Sequence, residues 1–513
     1  MDRERTKRIY DLHAWSGVIC GLFVFIVSFS GILALFGEEI AAWEDRSAYG
    51  HSLGDAQYPV AGIMEQFLAE AKTQGELLST SMLFPTAVHP FYRGLGRLRS
   101  ESGDDSKTFS RRWHVGTGEV LPAPSRALSD WLVKFHAHLM LPRTPGRAVV
   151  GLAGVLLLLS IVTGIITHRK LFQEMFTWRL DRSVRLKWQD THKIIGVWGL
   201  PFHLAISVTG CFLGFYAVLL PVIALLSFQG DQDAAYVALV PQGPPPSGIS
   251  AEMIPLDQAY LIAERRTGIA PTSVNTIHWG DRDGVYRFFY PPANKLILGI
   301  QIDVSAVTGD VVAQRLTDRG TPANRALTAM MPLHYGTFGG YWLKGGYTLL
   351  GIGLCVVVAS GLMMWLERRR YGNVGRRSDR FYAFLGRLNA GVCTGLCLAS
   401  VGVFYVGAVT TPDLAVTGWS FFALWGLTVV WGLWRPNPYR TTREILGLSS
   451  LCLTGLPVLV LVQGQELGLS LLIDGQFHPG AVDIAGFSAG LAGLIVVLFL
   501  PDQRPADKRA GQR

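Results

Sequence analysis

Eight apolar stretches of about twenty residues constrain the fold of this chain more than any other feature. A hydrocarbon core about 30 Å thick requires about 20 apolar residues in each helix that crosses it. Of the 513 residues 49% are hydrophobic and only 16% are charged, which excludes an ordinary soluble enzyme. We therefore expect an α-helical integral membrane protein with about eight transmembrane helices. The stretches lie at about 14–36, 147–167, 193–219, 345–366, 383–408, 414–434, 444–463 and 483–500.

Basic residues predict the orientation of these helices. They cluster before the first stretch, after the second and fourth, between the sixth and seventh, and at the C-terminus. If the helices simply alternate, all these clusters fall on one side, which the positive-inside rule assigns to the cytoplasm. We expect a multi-pass protein of a bacterial inner membrane with both termini cytoplasmic. Because this bias explains most of the net charge of +8, it gives no reason to expect a nucleic-acid partner.

Two long segments then lie on the periplasmic side and share one pattern. Each has an amphipathic stretch, 58–73 or 255–268, and each ends in alternating sequence around a Thr-Gly pair, Thr117-Gly118 or Thr308-Gly309. A glycine between two β-rich stretches is typical of a hairpin turn. We expect two small α+β domains inserted between transmembrane (TM) helices. The predicted division is 1–39 (N-terminus and TM1), 40–135 (first domain), 136–224 (TM2, loop and TM3), 225–335 (second domain), 336–370 (TM4), 380–501 (four additional helices) and 502–513 (tail).

The membrane segments repeat as well. His13 and His192 open the first and third stretches, and each is followed four residues later by a glycine. Each of the first four stretches also contains a hydroxyl residue followed by glycine, a pair that allows helices to approach closely in lipid. These pairs are Ser30-Gly31, Thr163-Gly164, Thr209-Gly210 and Ser360-Gly361. The pattern predicts two copies of a unit made of helix, outer domain and helix.

Histidines are concentrated in this repeated part. Seven of the twelve lie at or inside the first four stretches, where an ionisable side chain is costly unless it has a partner. Imidazole is a usual axial ligand of haem, and two of them leave no open position on the iron, which favours electron transfer. The histidines therefore indicate bis-imidazole haem sites. The seven are His13, His136, His138, His168, His192, His203 and His334.

These motifs, in this order, resemble the PepSY-associated transmembrane family over roughly residues 8–370. That family includes bacterial inner-membrane siderophore and ferric reductases that carry two b-type haems. The resemblance implies a haem-binding, iron-regulated protein with two PepSY-like periplasmic domains. Residues beyond about 380 lie outside this core, and we expect a structural or partner-binding role for them.

The spacings favour one set of ligands and leave alternatives open. His13 and His192 occupy equivalent ends of the first and third stretches and would hold one haem near the inner face. His138, or His136 in its place, and His334 precede the second and fourth stretches and would hold a second haem near the outer face. Since residues i and i+2 of a helix point apart, only one of His136 and His138 would face the haem. His203 lies eleven residues after His192, about 16 Å along a helix, and is an alternative to His138.

The remaining motifs limit where electrons would come from. The six cysteines all fall within the apolar stretches, and the sequence contains no haem c attachment motif and no dinucleotide-binding fingerprint. We expect a separate cytoplasmic reductase or a membrane quinol as the donor. The predicted function is electron transfer through two haem b groups to a ferric siderophore or another ferric chelate, which makes the protein a ferric-chelate reductase that releases iron for uptake. The alternatives are a haem-free PepSY-type binding or regulatory protein and a siderophore transporter.

Overall fold

A computed structural model of the chain describes most of its residues. The described residues are 3–49, 59–75, 77–86, 89–99, 106–123, 126–168, 173–179, 183–232, 234–235, 245–290, 296, 299–316, 322–370, 378–410, 413–473 and 477–505. The basic segments 169–172 and 371–377, on which part of the predicted orientation rests, lie outside them.

The first repeat runs from the N-terminus to residue 167. It begins with a long apolar helix, continues into a small α+β unit, and returns through a short helix to a second long helix. Its elements are α1 (Arg3–Ala34), α2 (Gly37–Glu44), a 3₁₀ turn (Arg46–Tyr49), α3 (Val60–Gln74), β1 (Leu77–Leu83), β2 (Phe91–Arg99), β3 (Ser106–His114), β4 (Val120–Leu121), α4 (Ala127–His138) and α5 (Arg143–Thr167).

The second repeat follows the same order, but its first span is divided. The predicted third stretch is split at Gly199, because Pro201 in the first turn of the following helix has no N–H to continue the hydrogen-bond ladder. Its elements are α6 (Val184–Trp198), α7 (Leu200–Ser227), α8 (Leu256–Thr267), β5 (Ser273–Ile277), β6 (Val285–Phe289), β7 (Ile300–Ser305), β8 (Val311–Leu316), α9 (Pro322–Tyr335) and α10 (Gly340–Arg370).

A C-terminal helical bundle completes the chain. Among the described residues, seven helices are long and apolar enough to cross a membrane: α1, α5, α7 and α10 of the repeats and three of the bundle. The pair α13 and α14, which bends by 44°, makes an eighth if the two helices cross as one span. The predicted fold class, a helical integral membrane protein with about eight spans, is confirmed. The bundle consists of α11 (Asp379–Val409), α12 (Leu414–Trp434), α13 (Pro438–Thr454), α14 (Leu456–Val462), α15 (Gly468–Ile473) and α16 (Phe477–Phe499).

The two α+β units share one antiparallel sheet. Its strand order is β4-β3-β2-β1-β5-β6-β7-β8, and β1 pairs directly with β5, with Met82 opposite Val274. Helices α3 and α8 pack on one face of the sheet over a core that includes Phe67, Trp113 and Phe288. The sequence predicted two separate units. Pairing β1 with β5 satisfies the backbone N–H and C=O groups that two free edges would leave exposed.

The predicted Thr-Gly hairpins are present in both halves of the sheet. Gly118 and Gly309 adopt positive φ angles of 68° and 79°, at the turns that join β3 to β4 and β7 to β8. A positive φ is unfavourable for a residue with a Cβ, which explains the glycine at both turns. The sheet therefore repeats internally, like the membrane helices beneath it.

Candidate functional site

One pair of histidines lies near the N-terminal end of α1. The ring centroids of His13 and His192 are 6.2 Å apart, and the ring planes are inclined by 74°. His13 Nδ1 lies 3.0 Å from Thr163 Oγ1 on α5. His192 Nδ1 lies 2.7 Å from the carbonyl oxygen of Val357 on α10. Each ring is thus tied through Nδ1 to the second long helix of its own repeat.

A second pair lies toward the sheet. The ring centroids of His136 and His334 are 6.1 Å apart, and the ring planes are inclined by only 19°. His136 Nδ1 lies 3.1 Å from the carbonyl oxygen of Val27 and 3.3 Å from Ser30 Oγ, both on α1. His334 Nδ1 lies 2.9 Å from Thr209 Oγ1 on α7. Burial lowers the pKa of both imidazoles, that of His334 to about 3, so both are neutral at physiological pH.

Each of these four rings lies against a hydroxyl-glycine pair. We call the hydroxyl residue and the glycine together a cradle. The cradle hydroxyls donate to backbone carbonyls of their own helices, for example Thr163 Oγ1 to the carbonyl of Leu159 at 2.7 Å and Thr209 Oγ1 to that of Ala205 at 2.7 Å. A Cβ added at Gly31, Gly361, Gly164 or Gly210 would lie 2.9, 3.1, 3.3 or 3.4 Å from Cε1 of His136, His192, His13 or His334, respectively. Because glycine has no side chain, each of these four positions leaves space for the imidazole ring packed against it.

The groups that contact Nδ1 indicate which ring nitrogen carries the proton. A backbone carbonyl only accepts, and the hydroxyl protons of Thr163 and Thr209 are already donated to their helices, so Nδ1 is the donor in all four rings. The lone pair of Nε2 then remains available on the opposite side of each ring. Histidines that bind metals show this arrangement, in which one nitrogen is held by a carbonyl or another acceptor and the other is the ligand.

The arrangement follows the internal repeat. Each histidine lies against the cradle glycine of its own repeat, and each pair contains one histidine from each repeat. In α1 the cradle Ser30 follows His13 by seventeen residues, and Thr209 follows His192 by the same number. Seventeen residues of helix span about 25 Å. This separation between the two pairs is most of the thickness of a hydrocarbon core of about 30 Å.

The geometry of both pairs suits a metal held between two imidazoles. A metal–nitrogen bond is about 2 Å and a ring nitrogen lies about 1 Å from the ring centre, so a metal bound on both sides separates the centroids by about 6 Å. Among the described residues, no group of three or more His, Cys, Asp or Glu side chains is placed to hold a metal ion. Two imidazoles without further protein ligands fit a metal that arrives with its own equatorial ligands, as haem iron does. The residues present therefore fit two haems.

The structure separates the alternatives that the sequence left open. It brings His136 to His334, whereas the sequence favoured His138 for that position. His138 is the last residue of α4 and points away from His136, as expected for residues i and i+2 of a helix. Spacing in the sequence could not decide between His136 and His138. The left-handed residues Leu139 and Met140 reverse the chain between α4 and α5, so the number of residues before α5 does not tell which histidine faces the partner ring.

His203 joins neither pair. It is 3% exposed, and its ring lies next to the backbone of Leu350 on α10. Leu350 precedes Val357, the partner of His192, by seven residues, or about 10 Å of helix toward the sheet. His203 thus lies between the levels of the two pairs. Its Nε2 is buried without a hydrogen-bond partner among the described residues.

The position of α4, which carries His136, is set by α2 and by the C-terminal bundle. Both carboxylate oxygens of Glu44 accept from the first backbone amides of α4, at 2.8 Å each. The apolar face of α4 packs against α12. The ring centroids of Trp131 and Phe135 lie 4.3 and 5.1 Å, respectively, from that of Phe421. The bundle therefore packs directly on the helix that presents one histidine of the second pair.

The bundle also holds α2. Asp483 on α16 is 2% exposed and accepts two hydrogen bonds from Arg46, at 2.7 and 2.8 Å. It also accepts from Trp43 Nε1 at 2.7 Å. Since α2 supplies the Glu44 cap of α4, a continuous chain of contacts runs from Asp483 to His136.

Sequence reasoning missed the role of the hydroxyl-glycine pairs, which it interpreted as helix-packing residues. The signal was the equal spacing of seventeen residues from histidine to hydroxyl in both repeats. It shows that the first span of each repeat carries both a histidine and, seventeen residues later, the hydroxyl of a cradle.

Comparison with known proteins identifies the family of the part of the chain that contains the paired histidines. The sequence profile described as the PepSY-associated TM region matches residues 10–368, about seven tenths of the chain. The chain belongs to the PepSY-associated transmembrane family. A relative in Pseudomonas aeruginosa, named only as an uncharacterized protein, is 29% identical over 348 residues, which cover 63% of this chain and 84% of the relative. The family match contains all four paired histidines and their cradles, and it ends before α11.

Proposed function

We propose that the protein carries electrons across the bacterial inner membrane through two haem b groups and reduces a ferric siderophore or another ferric chelate at the periplasmic face. The observation that carries the proposal is the pair of two-histidine sites, each with ring centroids about 6 Å apart. His13 and His192 would hold one haem, and His136 and His334 the other. Bound haem supplies a one-electron carrier at each level. A ferric chelate that gains one electron becomes ferrous, and ferrous iron is held more weakly by hard oxygen ligands.

The chain's own residues support this role in three ways. Hydroxyl and carbonyl acceptors hold each imidazole with Nδ1 protonated, so that Nε2 would be the nitrogen available to a metal. The two imidazoles of each pair would hold the haem iron between them and leave it no open position, which favours electron transfer over oxygen chemistry. The two levels lie about 25 Å apart along α1, so that together they extend across most of the apolar layer.

The test is an optical spectrum of the detergent-purified protein, oxidised and then reduced with dithionite, together with a pyridine haemochrome assay. We expect a six-coordinate low-spin b-type spectrum and about two haems per chain. A colourless protein purified from haem-replete cells would contradict the proposal and would favour a haem-free binding or regulatory protein. Ferric citrate reduction, followed with a ferrous-specific dye outside proteoliposomes that enclose the reductant, then tests the direction of transfer. A spectrum of two haems without such reduction would limit the function to electron transfer to another acceptor.

A further inference from the structure

A cavity of about 100 Å³ lies where the first half of the sheet meets α2 and the beginning of α4. Its walls include Glu38, Tyr49, His89, Arg93 and Arg126. Since one water needs about 10–15 Å³ of such volume, the cavity has room for a group the size of a carboxylate or a phosphate. It is separate from both histidine pairs.

Two arginines face each other across the strands that line this cavity. Arg93 on β2 is the register partner of Arg112 on β3, and both line the cavity. Like charges directly opposite one another on neighbouring strands destabilise a sheet. Burial, with the repulsion of Arg126 and Arg112, lowers the pKa of Arg93. This part of the sheet therefore carries a concentration of positive charge that needs compensation.

At the equivalent place in the second repeat, an arginine is opposite a carboxylate rather than a second arginine. Counted from the two Thr-Gly turns, Arg112 corresponds to Asp303. The register partner of Asp303 is Arg287, and the two form an ion pair at 2.9 Å. The second repeat thus neutralises its arginine with a carboxylate on the neighbouring strand. In the first repeat the residue that corresponds to this carboxylate is Arg112, so that Arg93 faces a second arginine across the strands.

The carboxylates near the cavity compensate for its arginines only in part. Asp45 pairs with Arg112 at 2.5 Å. Glu38 is the other acidic residue of the lining, and its side chain is 58% exposed, 3.5 Å from Arg126 and 3.4 Å from His89. These distances exceed those of good charge-assisted hydrogen bonds. Three arginines and two acidic residues leave the lining with a net positive charge.

Hydrogen-bond donors in the lining also lack partners. Arg112 is 5% exposed, and its Nε is buried without a partner among the described residues. The same holds for Nε of Arg126. The planar guanidinium group, with its fixed fork of donors, matches the oxygens of carboxylate and phosphate.

We propose that this cavity is an oxyanion-binding site, which takes a carboxylate or phosphate group through Arg93 and Arg126. The group belongs either to a soluble ligand or to a lipid headgroup, since both present the same oxygens. The site is independent of haem and of the histidine pairs.

The test uses the full-length protein in detergent and, separately, in nanodiscs that contain phosphatidylglycerol. Binding of citrate and of inorganic phosphate is measured by isothermal titration at constant ionic strength. Arg93→Gln and Arg126→Gln are expected to weaken binding at least tenfold. Arg97→Gln changes an exposed arginine four residues further along β2, outside the cavity lining, and is expected to leave binding unchanged.

One variant is expected to bind more tightly, a result that misfolding cannot produce. Glu38→Gln removes the carboxylate that competes for Arg126 and His89, so citrate should bind several-fold more tightly. Citrate binding in both detergent and nanodiscs supports a soluble ligand, and binding in detergent alone supports a lipid phosphate that already occupies the site in nanodiscs. Absence of binding by the wild-type protein in both settings, or equal binding by the Arg126, Glu38 and Arg97 variants, would overturn the proposal.

Discussion

His136 and His334 come from different repeats, and yet their imidazole rings lie 6.1 Å apart with nearly parallel planes. The contact shows which face of α4 is turned toward α1. On that face the ring of His136 packs against Gly31, and the carbonyl of Val27 accepts from Nδ1. His138, two positions past His136 on the same helix, is excluded from the pair.

Substitution of the two histidines of α4 should therefore have opposite results. His136→Ala removes one of the two imidazoles at the sheet-side site, and we expect loss of about one haem per chain. His138→Ala leaves the pair intact and should retain both haems. A haemochrome count on the two purified variants makes the comparison. Loss of haem from the His138 variant alone would restore the assignment that the sequence favoured.

The cradle glycines of the same site should differ in their tolerance of a methyl group. At Gly31 a Cβ would lie 2.9 Å from Cε1 of His136, so the ring must move, although its Nδ1 is bound to α1. At Gly210 the corresponding distance to His334 is 3.4 Å, an ordinary contact. We expect Gly31→Ala to shift the sheet-side haem toward a high-spin spectrum or to reduce its occupancy by half or more, while Gly210→Ala leaves it low-spin.

The matched control for this prediction is Gly17→Ala. Gly17 lies on α1 as well, and an added Cβ would meet nothing within 4 Å. If Gly17→Ala and Gly31→Ala had the same effect on the spectrum, helix α1 would be generally intolerant and the cradle would have no specific role. Electron paramagnetic resonance of the oxidised variants distinguishes low-spin from high-spin haem.

The sequence predicted the membrane fold well because apolar length and charge bias are local signals. The eight stretches match seven helices and one bent pair, and the Thr-Gly turns are both present. It also selected His13, His192 and His334, since the repeat places them at equivalent positions. The choice of His136 over His138 depends on the rotation of α4, which is set by Glu44 and by Phe421, nearly three hundred residues further along the chain. No local pattern contains that information. The same holds for the pairing of β1 with β5.

His203 provides a test of the two-pair arrangement. Its ring lies between the two levels, next to the backbone of Leu350. Because it belongs to neither pair, His203→Phe should retain two low-spin haems per chain. In a redox titration of this variant, we expect the reduction midpoints of the two haems to shift only slightly. Loss of a haem from this variant would show that His203 is a ligand and would contradict the assignment of His136.

The C-terminal bundle should be required for the sheet-side haem, although it lies outside the family match. Asp483 on α16 is buried and accepts from Arg46 and Trp43, so Asp483→Asn leaves the Arg46 guanidinium without its carboxylate. Breaking a buried pair in this way costs about 3–5 kcal/mol. We expect a large decrease in the unfolding temperature in detergent. The sheet-side haem should also be lost before the haem of His13 and His192, because α2 no longer holds the Glu44 cap of α4.

An exposed ion pair of the same bundle is the control for this prediction. The side chain of Arg440 is 64% exposed and contacts Glu444 at 3.1 Å. Exposed pairs contribute about 0.2–1 kcal/mol, so Arg440→Ala should change the unfolding temperature little and leave both haems in place. A destabilised Asp483→Asn protein that loses both haems together would mean that the bundle stabilises the whole membrane domain equally. Loss of the sheet-side haem alone would show that the bundle positions α4, and through it His136, for haem binding.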